Sequence, residues 1–265
     1  MGRPALKVLT ASGQLLARGL SPTWLRTLSF VGLVVIWEVA ATVADSRALP
    51  EPWRVAQSFW RHLLEGSLID DLGITLFRVI ASFVVAMLVG VALGIVMGLR
   101  RQLDVLLDGW LILFLNIPAL VTIILCYVWF GLNEWAAILA VALNKIPNVI
   151  VTIREGTRAI DRELLEVAQV FRVPARKTFF KFFLPQLYPY IMIAGRSGIA
   201  LIWKIVLVVE LLGRSNGIGY QISVFFQLFD IASILAYTLA FILVMLVVEI
   251  GLVGPMERYV TRWRK

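Results

Sequence analysis

The sequence predicts an all-α, polytopic membrane protein with six transmembrane helices. Three observations carry that prediction. Of 265 residues, 60% are hydrophobic and 16% charged, with a mean hydropathy of +0.87; soluble domains run about 45–50% apolar and about 25% charged. The apolar residues gather into runs close to the ~20 residues a helix needs to cross a bilayer. Lys and Arg concentrate in alternate connecting segments, the bias that orients membrane helices.

The first run, Leu28–Val43, is the shortest and carries Glu38. The second, Ile74–Gly98, contains Gly90, Gly94 and Gly98 at four-residue spacing, a small-residue ridge that lets another helix approach closely. The third and fourth, Val105–Phe130 and Trp135–Ile153, contain Asn116-Ile117-Pro118 and Asn144-Lys145-Ile146-Pro147. Proline removes a backbone donor and clashes with the preceding turn, so both helices are expected to kink there. The fifth and sixth runs are Tyr190–Leu212 and Ile231–Gly254, and between them Asn216-Gly217-Ile218-Gly219 predicts a tight turn leading into a short re-entrant helix before Asp230. Cys126, the single cysteine, excludes an intrachain disulfide and reads as a small core residue.

With the N-terminus cytoplasmic, the inner segments hold seventeen of the 25 Lys and Arg residues, the outer ones only Arg47, Arg54, Arg61 and Arg214, and the spans the other four. Topology therefore accounts for the net charge of +8, and nucleic-acid binding is not needed. The domain reading is a cytoplasmic or interfacial lead over 1–27, a six-helix domain over 28–254 and a basic cytoplasmic tail over 255–265. The start also resembles a secretory signal cleaved near Ala44, but Glu38 and five further spans favour an uncleaved first helix. His62, the only histidine, is expected to be a solvated surface residue, with no Cys or carboxylate at metal-ligand spacing.

The stretch Glu166–Pro185, EVAQVFRVPARKTFFKFFLP, is charged, amphipathic and longer than a connector requires. Two readings fit its composition. It is a docking surface for a soluble partner, with Phe171, Val173, Phe179, Phe180, Phe182 and Phe183 as apolar anchors inside a rim of Arg176, Lys177 and Lys181. Or it is an amphipathic helix lying on anionic lipid.

The order of its residues favours the first. It resembles the EAA loop of ABC importer permeases, with Glu166-Val167-Ala168 at the start and Leu184-Pro185 at the end. The flanking chain is similar to the nitrate/sulfonate/taurine-type permeases: Leu49-Pro50-Glu51-Pro52, Thr75-Leu76-Phe77-Arg78, the three glycines, Trp203 through Glu210-Leu211-Leu212-Gly213, and Gly217-Ile218-Gly219-Tyr220. The resemblance runs from about Leu49 to the C-terminus.

That resemblance implies a type I ABC importer permease fold whose cytoplasmic loop 154–185 carries a coupling helix seated on a cytoplasmic ATPase. The residues it assigns to coupling are Glu166, Ala168, Phe171, Arg172, Val173, Pro174, Ala175, Arg176 and Lys177. The loop departs from the family pattern at Val167, at Phe182 and at Arg172, which stands where the family has glycine. Pro174 is expected to substitute for that turn-forming glycine, disfavouring helix at Val173 and opening the next helix at its first position. The implied partners are a second permease copy, most simply a homodimer, two cytoplasmic ATP-binding subunits, an extracytoplasmic solute-binding protein and membrane lipid. The implied location is a bacterial inner membrane with both termini cytoplasmic. The chain has no G-x-x-x-x-G-K-[ST] run, so ATP and magnesium are expected on the separate ATPase and no cofactor here. No Ser-His-Asp, Cys-His or paired-carboxylate arrangement suggests an enzyme.

Ionisable groups within a bilayer usually face an interior or a cavity. Arg196, Trp203 and Glu210 are spaced seven apart, on nearly one helix face, with Lys204 about 100° from Trp203. Together with Asn116, Asn144 and Lys145 beside the two prolines, they are expected to line the translocation path. Two alternatives stand beside this: Arg196 and Lys145 snorkel to the cytoplasmic interface and Arg78 to the outer face, and Glu210 pairs with a cation inside the bundle or ends its helix near the outer surface. Arg196, Lys204 and Lys145 suggest an anionic solute of sulfonate, nitrate or carboxylate type, which Glu210 offsets. The rival class is an ion-gradient-driven secondary transporter using Glu210, Glu249 and Lys204. It would want inverted repeats, which are not evident, and has no use for the docking loop.

Overall fold

A computed structural model describes residues 22–46 and 48–255, all of whose regular elements are helical. Most of the 1–27 lead, Arg47 and all but the first residue of the 255–265 tail lie outside the described residues. The helices are α1 (Pro22–Ala44), α2 (Pro52–Leu64), α3 (Leu68–Leu99), α4 (Arg101–Asn116), α5 (Ala119–Phe130), α6 (Glu134–Arg158), α7 (Arg162–Val170), α8 (Ala175–Thr178), α9 (Leu184–Gly213), α10 (Ile218–Gln227) and α11 (Ile231–Val248). Wide π turns, Phe179–Phe183 and Glu249–Val253, lead into α9 and extend α11.

The chain divides into two compact units at Ser58/Phe59. In the first, α1 is long and apolar enough over Trp24–Ala44 to cross a membrane, and Trp37 Nε1 donates to Pro50 O at 3.1 Å. In the second, α3, α6, α9 and α11 also meet the length and hydropathy of spans, as do α4 and α5 taken as one bent pair. The six runs read from the sequence all appear.

The glycine ridge explains how α3 and α6 stack. A Cβ on Gly90 would lie 2.6 Å from Val149 Cβ, one on Gly94 2.7 Å from Ile153 Cβ, and one on Gly98 2.5 Å from Thr157 Cβ. Both partners advance four residues at a time, so the helices touch along one seam. Lipid tails are as apolar as leucine, so such close packing, and not exclusion from water, holds membrane helices together. Gly156 on the next face of α6 admits the Tyr190 ring of α9 in the same way. The described residues form three buried clusters, the smallest of Met97, Leu111 and Ile150. Tyr127, Trp203, Val206, Ile218, Tyr237 and Phe241 belong to one, and Val149, Ile153, Phe183, Leu187 and Ala194 to another nearer the loop. Cys126 is buried in the first cluster.

The two prolines behave differently. At Ile117-Pro118 the third span breaks outright, with α4 and α5 bent by 98°. Pro147 sits inside an unbroken α6, so the expected interruption there is a missing hydrogen bond and not a break. Packing of α6 against α3 and α9 keeps it continuous.

Candidate functional site: a presented loop and a buried polar knot

The loop after α6 is built by its caps. Asp161 accepts from Glu163 N at 2.9 Å to start α7, and its own N–H donates to Gln186 Oε1 at 2.9 Å, which ties α7 to the root of α9. At the other end, Val173 N donates to Ala168 O and Arg172 N to Gln169 O, both at 2.9 Å, with Arg172 at φ +52. This is a Schellman closure, which places a left-handed residue just past the helix. Arg172 therefore makes the turn itself, in the conformation glycine adopts without strain. The expectation that Pro174 would take over from the missing glycine is corrected: Pro174 (φ −57, ψ 139) caps α8, which opens one residue later at Ala175.

The surface so presented is sharply two-toned. Val170 and Phe171 are 79% and 77% exposed, beside exposed Glu166, Val167, Arg172, Pro174, Ala175, Arg176 and Lys177, with Val173 half-buried. Ala168 is buried and packs inward, beneath the turn whose closing bond its carbonyl accepts. Phe183 is likewise in the core, stacked on Phe179 at 5.3 Å, because the wide turn rotates it toward α9; it is not an anchor. The root of the loop is fastened by charge: Arg154 meets Asp108 at 2.6 Å and Asp104 at 3.2 Å, and Arg158 pairs with Asp104 and Glu155.

The opposite end of the same unit holds a polar knot around Arg78 (Fully buried, 1% exposed, the guanidinium does not snorkel). It donates through Nε and Nη2 to Glu134 at 2.8 and 2.7 Å, through Nη1 to Glu210 at 2.7 Å and Asn216 O at 3.0 Å, and through Nη2 to Asn216 Oδ1. Arg214 adds a donor to Glu134 and another to Leu132 O at 2.8 Å. Glu210 also accepts from Thr75 Oγ1 at 3.0 Å and Gly219 N at 2.9 Å. Asp71 accepts from Gly217 N at 2.9 Å, and Thr75 Oγ1 from Ile218 N at 3.0 Å. Asp71, Thr75 and Arg78, on one face of α3, thus hold the first turn of α10. Gly217 (φ +99) is required here, since a Cβ would lie 2.5 Å from Glu210 Oε1.

The expected path residues separate. Glu210, wholly buried, and Trp203, 2% exposed and edge-on to Phe241 at 4.9 Å, lie in the packed interior. The seven-residue spacing did put them on one face, but that face is the core. Arg196 is exposed and pairs with Glu249 at 3.1 Å. Asn116, exposed at the break, donates to Ile112 O at 2.7 Å; Asn144, half-buried, lies 3.5 Å from Ala119 O. Lys204 is exposed, and Lys145 is 2% exposed with its ammonium 3.3 Å from Ser197 Oγ.

His62 is not a solvated surface residue. Its ring lies between Phe225 and Tyr237, at 5.2 and 5.3 Å, with Nε2 3.0 Å from Ser233 Oγ, which donates to Asp230 at 2.6 Å. Burial and the neighbouring Arg61 charge push the imidazole pKa down, against the pull of Asp230. Sequence reasoning missed Asp71, Glu134, Asn216, Arg214, Asp104 and Asp108; of these, only Asp71 carried a readable signal, its register with Thr75 and Arg78.

Comparison with known proteins agrees with this architecture. The model of a family described as "Binding-protein-dependent transport system inner membrane component" matches residues 86–254. The chain is 28% identical over 91% of its length to the putative aliphatic sulfonates transport permease protein SsuC of Bacillus subtilis, covering 88% of that protein. It is 32% identical over 72% of its length to SsuC of Escherichia coli, covering 73% of it. To the bicarbonate transport system permease protein CmpB of Synechococcus elongatus it is 28% identical, over 88% of this chain and 86% of that one. The crystal structure of an amino acid ABC transporter with histidines superposes with a TM-score of 0.57 at 20% identity, covering 72% of this chain and 93% of that one. That likeness establishes the fold, that of a type I ABC importer permease.

Proposed function

Since the chain belongs to the family of binding-protein-dependent transport system inner membrane components, we propose that it is the translocating subunit of an ATP-driven importer for a small anion. Relatives named for aliphatic sulfonates and bicarbonate support the substrate class. Lys145 and Lys204 support it too. In this reading the path forms between two copies of the chain, each seated on a separate ATP- and magnesium-binding subunit, and a binding protein delivers solute from outside. Both termini and the loop face the cytoplasm. ATP-driven closure of the ATPases moves the helices between inward-open and outward-open.

The observation that carries this reading is the presentation of Val170 and Phe171. Capping at both ends of α7 fixes two large apolar side chains in full exposure within a rim of Arg172, Arg176 and Lys177. Aromatic anchors inside a charged rim are what a protein interface uses. A proton-coupled rival is not favoured, because Glu210 and Glu249, two of its three carriers beside Lys204, are already held by Arg78 and Arg196.

The test is co-purification of the expressed permease with a soluble ATPase. Phe171→Asp is expected to reduce ATPase retention by about tenfold or more, in line with the ~2 kcal/mol typical of an interface hot spot. Retention equal to wild type, or binding of the loop to anionic vesicles with no ATPase partner, would overturn the docking role.

A further inference from the structure

Most charged side chains in the spans of the second unit meet an opposite charge. Glu134 and Glu210 face Arg78, Glu249 faces Arg196, and Asp104 and Asp108 face Arg154. Of the two buried cations among the described residues, Arg78 and Lys145, Lys145 has no carboxylate: its partner is the neutral Ser197 hydroxyl at 3.3 Å, itself donating to Ala194 O at 3.1 Å. An ammonium held in a low-dielectric interior without a counter-charge is strongly unfavourable.

The geometry around it leads outward. Lys145 lies near the middle of α6, and its aliphatic stem crosses α9 at Gly198, where an added Cβ would sit 3.2 Å from Lys145 Cε. The missing side chain gives the stem its passage. The ammonium ends at Ser197, which belongs to the exposed face of α9 with Ala200, Leu201 and Lys204. Ser197 and Lys204 are seven residues apart, so they share a stripe separated by about 10 Å of helix rise. Lys204 makes no ion pair among the described residues.

We propose that Lys145, Ser197 and Lys204 form an anion subsite on the exposed face of α9, at mid-span, whose missing counter-charge is the solute: an oxyanion such as a sulfonate. Rotation of the Ser197 hydroxyl away from Lys145 uncovers the ammonium, and the hydroxyl itself donates to an oxygen of the anion. Lys204 supplies the next cation along the stripe. Arg196 and Glu210, already neutralised by their partners, take no part in it. This inference rests on the import reading for its physiological meaning, but its electrostatics can be tested separately.

The probe is a pair of thiol reagents of matched size, anionic sulfonatoethyl methanethiosulfonate and cationic trimethylammonioethyl methanethiosulfonate. They are applied to the full chain, with its ATPase where one co-purifies, in a Cys126→Ala background carrying Ser197→Cys. The expected result is faster modification by the anionic reagent, with the anion-to-cation rate ratio falling about tenfold or more when Lys145→Met is added, the scale on which local potential alters charged-reagent rates. Lys145→Arg is expected to keep the ratio, and Lys204→Gln to lower it less. Ala200→Cys serves as the second reporter if Ser197→Cys does not assemble. A ratio near unity, a ratio indifferent to Lys145→Met, or thiols at both positions unreactive to either reagent overturns the subsite. Absence of ATP-dependent uptake with the ratio intact would instead overturn the import reading and leave the subsite standing.

Discussion

Arg78 and Lys145 are equally hidden, at 1% and 2% exposure, and both stand within membrane-length helices. Their surroundings could hardly differ more. Arg78 faces two carboxylates and both oxygens of Asn216, whereas Lys145 has one neutral hydroxyl. A charge whose partners lie within the chain fixes structure, here by pinning the first turn of α10 to α3 and α9. A charge without them leaves its electrostatic demand open to something that comes and goes.

The largest way to break this contrast is Arg78→Met. It leaves buried Glu210 unpaired, and removing one member of a buried ion pair costs about 3–5 kcal/mol. Thermal unfolding in detergent should drop sharply, and Arg78→Met combined with Glu210→Gln should recover part of the loss. A melting temperature unchanged by Arg78→Met would mean the knot is not structural. Lys145→Met should do the reverse. Removing an uncompensated buried polar group gains about 1–3 kcal/mol, so the same assay should show a stabilised protein; marked destabilisation would mean that Lys145 has a partner.

Arg172 sharpens the comparison from another side, since backbone geometry and not charge holds it. Its left-handed conformation costs about 1 kcal/mol relative to glycine, so Arg172→Gly should increase hydrogen-exchange protection of the Val173 amide by roughly fivefold. Unchanged protection would remove strain from the description of the turn. The smallest expected effect belongs to His62, which is half-partnered. Its folded pKa lies below the ordinary histidine value, so the unfolded chain takes up the proton first. The stability it contributes is whole above about pH 6.5 and declines as the pH falls toward the folded pKa. Melting temperature measured from pH 7.5 down to 5.5, as a range about that value, should fall less steeply in His62→Gln; identical slopes would exclude it.

Much of this was legible in the residues. Six spans, the break at Pro118, the glycine seam and the helix after Gly217 each depend on features within a few residues of one another. The α7 closure was half-legible: a turn was expected at Arg172-Val173-Pro174, but which residue would carry the left-handed conformation depended on hydrogen bonds to Ala168 and Gln169. Glu210 and Trp203 were read correctly as sharing a face, and the structure packs that face into the core, because periodicity gives the face of a helix without saying what lies against it.

Apolar run length, loop charge and motif order determined, from the sequence alone, that this chain spans a membrane as a permease with a long charged loop after the fourth apolar run. Those properties lie in the linear order of the residues and require no knowledge of which helix packs against which. Which buried charges are neutralised was decided only in three dimensions. Arg78 and Glu210 are 132 residues apart, and a helix in lipid chooses its neighbours by shape and hydrogen bonding, neither of which hydropathy records.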